Sequence, residues 1–468
     1  MPPLRPPRER ATITLAPRTA TVAAECDVLV VGGGPAGLGA AIGAADAGAD
    51  VILVERHGFL GGNATAALVM PLMSFHTQRG PAPPGATADL MPHDHGPGEP
   101  VVQGVLRRLL GRLEASGGCL RASQQTGFVV PFDPEVLKLV ALDLLDEAGV
   151  RVLLHALATD VVGAPRPDGV VFETKSGPIV IMARAIVDGT GDGDVAALAG
   201  APFDVGRDGD GLVQPMTLMF RMVEFERTAF AAYRQAHPDQ WRGVHGLWEL
   251  VREASRAGEL ALAREDILFF GTPHERELSV NSTRVTGVRG TSVWDLTRAE
   301  WQARRQMRQI AAFLRKRVPG FERSYVVQSG VTIGVRESRR VIGEYRLTAE
   351  DILGARKWDD VIARGTYPID IHNPQGKGTL LMRLPAGESY DIPLRCLVPQ
   401  RVDRLAVAGR CISGTHEAHS SYRVMPIAMA TGQAAGVCAA LAARAGKALR
   451  DVAARDVQAA LRRQGAVL

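Results

Sequence analysis

Residues 27–57, DVLVVGGGPAGLGAAIGAADAGADVILVERH, read as a buried strand, a glycine turn, a helix of small residues and a second buried strand. That order is one βαβ unit. Gly32, Gly34 and Gly37 have GxGxxG spacing directly after the strand and directly before the helix, the context in which this short pattern carries meaning. Gly32 permits the tight turn, Gly34 lets a pyrophosphate approach the backbone, and Gly37 lets helix and strand pack closely. The amides at the helix start receive phosphate oxygens. Glu55 ends the second strand, placed to accept from the hydroxyls of an adenosine ribose and to disfavour a 2′-phosphate. The unit predicts dinucleotide binding.

Working outward, Gly61, Gly62, Asn63, Ala64 and Thr65 follow closely enough to line the pyrophosphate and ring side of the same pocket. Residues 77–100 are rich in proline and glycine and read as a long loop or lid, with His76, His93 and His95 in or beside it. No carboxylate or cysteine completes a metal-ligand spacing with them, and no metal is expected. Helices are expected over 103–115 and 134–148, then a strand over RVLLHALATDVVG. VFETKSGPIVIMARAIVDGTGDGDVAALAG gives a hairpin-like turn, a buried strand and a second glycine-acid cluster. There Asp192 and Asp194 either cap the helix VAALAG or belong to a loop beside the cofactor. Beyond residue 201 the texture changes, with β-like TLMFRMV and ILFF and amphipathic helices over 227–236 and 297–316. The second of these helices is strongly basic, as a solvated face or subunit contact would be.

The last segment, VDRLAVAGRCISGTHEAHSSYRVMPIAMATGQAAGVCAALAARAGKA, returns to a buried strand ending at Gly409. A helix is expected from about Thr431, so that Gly432, Gln433, Ala434 and Ala435 would bring its first amides to a flat ring. ALRDVAARDVQAALRRQGAVL closes the chain as an amphipathic helix.

Composition narrows the classes. The 468 residues include 54 basic and 50 acidic side chains, and a net +4 with 5% aromatics offers neither the basic stripe nor the stacking platform of a nucleic-acid binder. Arg5, Arg8, Arg10 and Arg18 against Glu9 place much of that excess in an amino-terminal arm that lacks the apolar stretch of a secretory signal. Five cysteines without a CxxC indicate neither a disulfide framework nor a zinc site. The expectation is a cytoplasmic protein with no membrane span. Glycine stands at 51 residues, above the usual share of roughly 7%, and its placement matters more than its total.

Taken together, VVGGGPAG, the GGNAT segment, IVDGTGDGD, VRESRRVIGEY, TYPIDIHN, YDIPLRCLVP and the segment from LAVAG onward resemble the FAD-dependent oxidoreductases of the glutathione-reductase-like fold, especially their bacterial branch. The resemblance implies an α/β architecture: a Rossmann-like FAD-binding domain assembled from noncontiguous segments, with an inserted α+β substrate domain. On that basis residues 1–25 form an arm or edge strand, 26–200 the first part of the FAD domain, 201–395 the insertion and 396–468 the returning part. It implies FAD contacts at Gly32, Gly34, Pro35, Ala36, Gly37, Glu55 and Arg56, at Gly62, Asn63 and Ala64, at Thr190, Gly191 and Asp192, and at Gly409, Arg410 and 432–435. Two features of the wider fold are missing. The redox cysteine pair after the second strand is replaced by GFLGGNATAAL, which removes thiol-disulfide exchange, and no second full GxGxxG unit marks a tightly held NAD(P)H.

The expected function is hydride or electron transfer between flavin N5 and a small to medium organic substrate, a carboxylate-bearing one being among the options, with dehydrogenation or reduction favoured over hydroxylation. Arg336, Arg339, Arg395 and Arg423 are candidates to clamp the carboxylate or an anionic flavin, and His372, His416 and His419 to move a proton. Each arginine has a structural alternative in an ion pair with Glu337, Glu344 or Glu417. Asp370 and His372 share a strand face by their period of two. Alternatives of another class are an FAD-containing electron-transfer or assembly subunit without its own turnover, and a nonenzymatic regulator. The sequence also allows a homodimer and an NAD(P)H or other redox partner.

Overall fold

The computed structural model describes residues 4–6, 12–78, 90, 98–123 and 126–468. Most of the expected lid, including His93 and His95, lies outside them. The quoted stretch forms β1 (Thr21–Val31), α1 (Pro35–Asp46) and β2 (Val51–Val54), with β1 and β2 parallel from Val28↔Val51 to Val31↔Val54. Helices α2 (Val105–Ala115) and α3 (Pro134–Glu147) follow, then β3 (Arg151–Leu153) and β4 (Leu157–Val162). The stretch expected as one strand is therefore two. His155 takes φ 59° between them because β3 lies beside β2 while β4 must cross to the far side of the sheet.

β5 (Gly169–Thr174) and the long β6 (Gly177–Asp188) form the expected hairpin, and the sheet order is β3-β2-β1-β6-β5-β4. β6 uses its length twice. Residues 177–182 pair antiparallel with β5, whereas Ile186, Val187 and Asp188 pair in parallel with Leu405–Val407 from the far end of the chain. Thr21–Cys26 pairs with β6 alone, and only from Val28 does β2 join the other side of β1. An α/β fold built from discontinuous segments is thus present.

The helix Met425–Ala445 crosses α1 at very short range. A Cβ on Gly39 would lie 2.2 Å from the Met429 carbonyl oxygen, one on Gly432 2.0 Å from that of Ala36, and one on Gly436 1.9 Å from that of Ala40. Glycine is needed there because two backbones occupy the space a side chain would fill. The expected helix start at Thr431 is wrong by six residues. Gly432, Ala434 and Ala435 are buried in the crossing, and Gln433 accepts from the Val105 amide and donates to Gln464, tying the helix to its neighbours. This helix also bears on the expectation of no membrane span. Its mean hydropathy of 1.4 and its 21 residues would suit a membrane span, but 89% of the apolar window is buried inside the protein, as in a core helix.

A second, six-stranded antiparallel sheet runs in the order Tyr325–Ser329, Phe220–Val223, Glu277–Val280, Ile267–Gly271, His245–Gly246 and Trp241–Arg242. Phe225, Phe230, Trp241, Phe269 and Phe321 form its aromatic core, against which Ile310, Phe313 and Leu314 of the helix Val293–Arg317 pack. From Val341 onward, apolar side chains such as Ile352, Ile362, Tyr390 and Ile392 pack into the core of the first sheet.

Candidate active site

Gly32 takes φ 100°, and a Cβ there would lie 2.6 Å from the Gly189 carbonyl oxygen, while a Cβ on Gly37 would lie 1.7 Å from that of Gly32. The glycine turn is therefore clamped between α1 and the loop after β6. Gly34 ends this turn 3.6 Å, measured from an ideal Cβ, from the Cα of Gly62. No side chain caps α1, Pro35 stands in its first turn and no acid does, so its amide end is left for an anion. Glu55 is buried, its two oxygens accepting from the Gly33 amide at 2.6 Å and the His57 amide at 2.9 Å. Arg56 is exposed beside it.

The loop after β6 hangs on Asp188. This wholly buried carboxylate accepts from the Thr190 amide and hydroxyl at 3.0 and 2.7 Å and from the Ala196 amide at 2.9 Å. Neither Asp192 nor Asp194 caps the short helix α4 (Asp194–Leu198), whose N-cap is Gly193. Asp192 pairs instead with Arg410 at 2.8 Å, beside Gly191, and Asp194 pairs with Arg339 at 2.8 Å. Burial pushes the Asp188 carboxyl up to about 6. Its folded value lies above the ordinary unfolded one near 4, so the folded state holds the proton more tightly and stability falls as pH rises from about 4 to 6. Chemical unfolding of Asp188→Asn beside the parent should show the variant gaining, relative to the parent, on the order of 2–3 kcal/mol between pH 4 and 7. A pH-independent difference would contradict this reading.

Against the six-stranded sheet lies a cavity of about 1210 Å³. Asn63, Val335, Arg410 and Pro426 line the side facing the dinucleotide frame, and Met219, Trp241, Leu268 and Phe270 line an apolar wall. Arg264, Arg284, Arg336 and Arg423, with Asp370 and His372, line a polar one. The start of the helix Met425–Ala445 reaches the cavity through Val424, Met425 and Pro426, so that start, and not 432–435, lines it.

The sequence-predicted catalytic residues separate into two groups. Arg336, His372 and Arg423 meet in the cavity. Arg395 does not: it is bound to Asp360 at 2.9 and 3.2 Å and lies over the rings of Tyr345 and Trp358. Arg339 is held on Asp194 and the Asp192 carbonyl, near the Phe203 ring. His416 is buried on Glu337 at 2.9 Å, in a cluster that also holds Arg340, and lines no part of the cavity. His419 is fully buried against Tyr422, and burial, then the charges of Arg340 and Arg423, push it well below the usual histidine range. Cys411 is a buried packing residue whose thiol burial pushes far up. Glu344 binds Arg450 and Glu337 binds Arg340, so the ion pairs of Arg339 and Arg395 are with Asp194 and Asp360 and not with the glutamates foreseen as their partners.

Inside the cavity wall the Asp370 carboxylate takes the Tyr367 hydroxyl at 2.8 Å, His372 Nε2 at 3.5 Å and Arg423 at 3.7 Å. Burial opposes its ionisation, but the His372 and Arg423 contacts and this hydroxyl hold it well below the carboxylate range. Burial, outweighing Asp370, pushes His372 down to about 3, so the pair stands as carboxylate and neutral imidazole. Burial and then the Arg423 charge push Arg336 down to about 9, and burial and then Arg264 push Arg284 down to about 10.

Arg264 and Arg284 were missed in the sequence, although a signal exists. They flank ILFF and ELSV, and antiparallel pairing with Phe269↔Val280 brings the start of one strand beside the end of the other. Pro426 was likewise available as a helix-start signal, since proline is favoured in a first turn.

A clamped glycine turn and an uncapped helix, with a half-open cavity beside them, suit a dinucleotide-dependent enzyme of the α/β class. The family described as FAD dependent oxidoreductase matches residues 27–461, and the chain belongs to it. FAD is accordingly its cofactor, and hydride or electron transfer involving the flavin is its type of reaction. No curated protein matches the chain. Similar solved structures include a geranylgeranyl bacteriochlorophyll reductase-like protein from Thermoplasma acidophilum, 13% identical over 94% of this chain and 82% of that one with a TM-score of 0.45. A flavin-dependent brominase is 12% identical over 94% and 84%, TM-score 0.47. A p-nitrophenol 4-monooxygenase from Pseudomonas putida is 11% identical over 93% and 84%, TM-score 0.43.

The residues present fit FAD. The cradle around Gly34 and Gly62 would be filled by side chains at either position, the free amide end of α1 suits a pyrophosphate, and Glu55 suits a ribose.

Proposed function

We propose that the chain is a dehydrogenase or reductase of an organic acid, built on a frame of glutathione-reductase type, with the substrate held in the cavity against the six-stranded sheet. The observation that carries this reading is Arg336. Its side chain lines the cavity, spends one nitrogen on the Pro215 carbonyl and the Thr217 hydroxyl, and pairs with no carboxylate among the described residues. A substrate carboxylate supplies the missing partner through a charge-assisted hydrogen bond. The parallel order β3-β2-β1-β6, completed by the returning strand Leu405–Val407, supports the assignment of the frame. A division with residues 220–329 as the substrate-covering unit is supported by their separate sheet and aromatic core.

Bound FAD supplies a two-electron acceptor or donor. The protein's own groups do the rest. Arg336 and Arg423 fix the acid end of the substrate, the apolar wall excludes water from its carbon body, and Asp370 at Nε2 and the Thr379 hydroxyl at Nδ1 fix the orientation of His372, a neutral imidazole. Anaerobic bleaching of the flavin by a panel of hydroxy, amino and saturated acids, each beside its methyl ester and beside NADH and NADPH, tests this. An acid should bleach the flavin where its ester does not; bleaching by esters and acids alike would remove the carboxylate from the reading. Arg336→Gln should raise KM for the acid about ten- to a hundredfold with a smaller change in kcat, the pattern of a binding contact shared by ground and transition states.

A further inference from the structure

We propose that the polar wall of the cavity is built for a substrate carrying two negative charges on one end, a dicarboxylate or a phosphate monoester; the inference rests on the anionic-substrate reading above and deepens it. The grounds are a count of charges that the protein itself does not balance. Arg264 is answered by Asp266, which lies 3.1 Å away and also takes His245, and Arg410 is answered by Asp192. Arg383 donates to Gln78, and the other charged residues of the lining, Asp239, Arg242 and Glu265, are exposed, Glu265 beside Lys377; what remains away from solvent is Arg284, Arg336 and Arg423 around the carboxylate of Asp370. The Arg284 guanidinium donates to the Gly378 carbonyl at 3.0 Å and pairs with no carboxylate among the described residues, as is true of Arg336. The Arg423 Nε is buried with no hydrogen-bond partner.

Three guanidinium groups facing one carboxylate leave two positive charges over, in a wall where His372 is neutral and adds none. Buried like charges without counter-charges are costly, several kcal/mol per ion, and a fold keeps them where a ligand supplies the balance. Burial and then Arg423 displace Arg336 downward, and burial and then Arg264 displace Arg284. A monoanion would leave one cation unanswered; a compact dianion answers both. The apolar lining of Met219, Trp241, Leu268 and Phe270 suits an apolar body attached to that head.

Equilibrium binding to the FAD-loaded enzyme tests this without turnover. Benzyl alcohol, benzoate, phthalate and phenyl phosphate share one ring and differ in charge, and are titrated at constant ionic strength by calorimetry and by the perturbation of the flavin spectrum. At least one dianion should bind tenfold or more tighter than benzoate, phthalate identifying the dicarboxylate and phenyl phosphate the phosphate monoester. Arg284→Gln should bring that ratio close to one, and Arg284→Lys should retain most of it. Should Arg284→Gln not load FAD, the decision falls to the lysine variant and to pH in the parent protein: the advantage of phenyl phosphate should shrink as pH drops below about 6, where its second ionisation is reversed. Equal binding of benzoate and both dianions, or a ratio indifferent to Arg284→Gln, overturns the dianion. Benzyl alcohol binding as well as benzoate, or no probe binding at all, overturns the anionic reading beneath it.

Discussion

Glu337→Ala should lower the unfolding free energy of the FAD-loaded enzyme by about 3–5 kcal/mol, the usual consequence of stripping one partner from a buried ion pair. Its side chain is wholly inaccessible, and that of Arg340, with which it pairs, is 1% exposed. One carboxylate oxygen also takes His416 Nδ1, and the other accepts from the Gln214 amide at 3.0 Å. Arg340 itself donates to the Gly414 carbonyl at 3.1 Å and the Gly206 carbonyl at 2.7 Å, tying together three segments distant in sequence. Removing Glu337 strands a guanidinium in this interior. Urea denaturation followed by tryptophan fluorescence reads the change, and the double variant Glu337→Ala/Arg340→Met should recover most of it, because an apolar pair no longer carries a desolvated charge. A loss below about 1 kcal/mol for Glu337→Ala would mean that water reaches the pair.

The second large effect concerns Gly432. With a Cβ 2.0 Å from the Ala36 carbonyl oxygen, Gly432→Ala must push the helix Met425–Ala445 off α1, for a loss of about 3 kcal/mol or more and a weaker hold on FAD, since Ala36 lies in the first turn of α1. Gly111→Ala is the natural control. It lies in α2 with open space around its missing Cβ, and should be neutral or up to about 1 kcal/mol stabilising. Thermal unfolding and the FAD dissociation constant of both variants separate two roles for Gly432. A residue at the flavin ring would shift the flavin spectrum with little loss of stability; a residue in a helix crossing does the reverse.

That contrast shows how far the sequence could be read. The first βαβ unit was legible because its glycines are required locally, by a turn and by the neighbouring helix, within a few residues of each other. The later glycines look the same in sequence but answer to a partner nearly four hundred residues away, and nothing nearby distinguishes a ring-facing glycine from one in a helix crossing. Pro426 did mark the true helix start; the apolar run around it hid the boundary. Arg336, His372 and Arg423 were recognised as polar groups near the cofactor segments, whereas Arg339 and Arg395 were equally plausible until Asp194 and Asp360 proved to hold them. Which arginine is spent on a structural partner is a matter of tertiary distance, and no periodicity encodes it. Arg284 escaped notice because its place in the cavity depends on strand register.

The divided use of β6 has a bearing on how the protein is made. Synthesis delivers Ile186, Val187 and Asp188 long before Leu405–Val407, and delivers the glycine face of α1 long before the helix that fills it. A nascent chain therefore carries an open strand edge and an unmatched groove through the production of more than two hundred residues, a period in which such surfaces invite aggregation. The six-stranded sheet, whose strands all lie within residues 220–329, can fold on its own schedule in the meantime. The cofactor frame is the first part to be translated and the last to be completed.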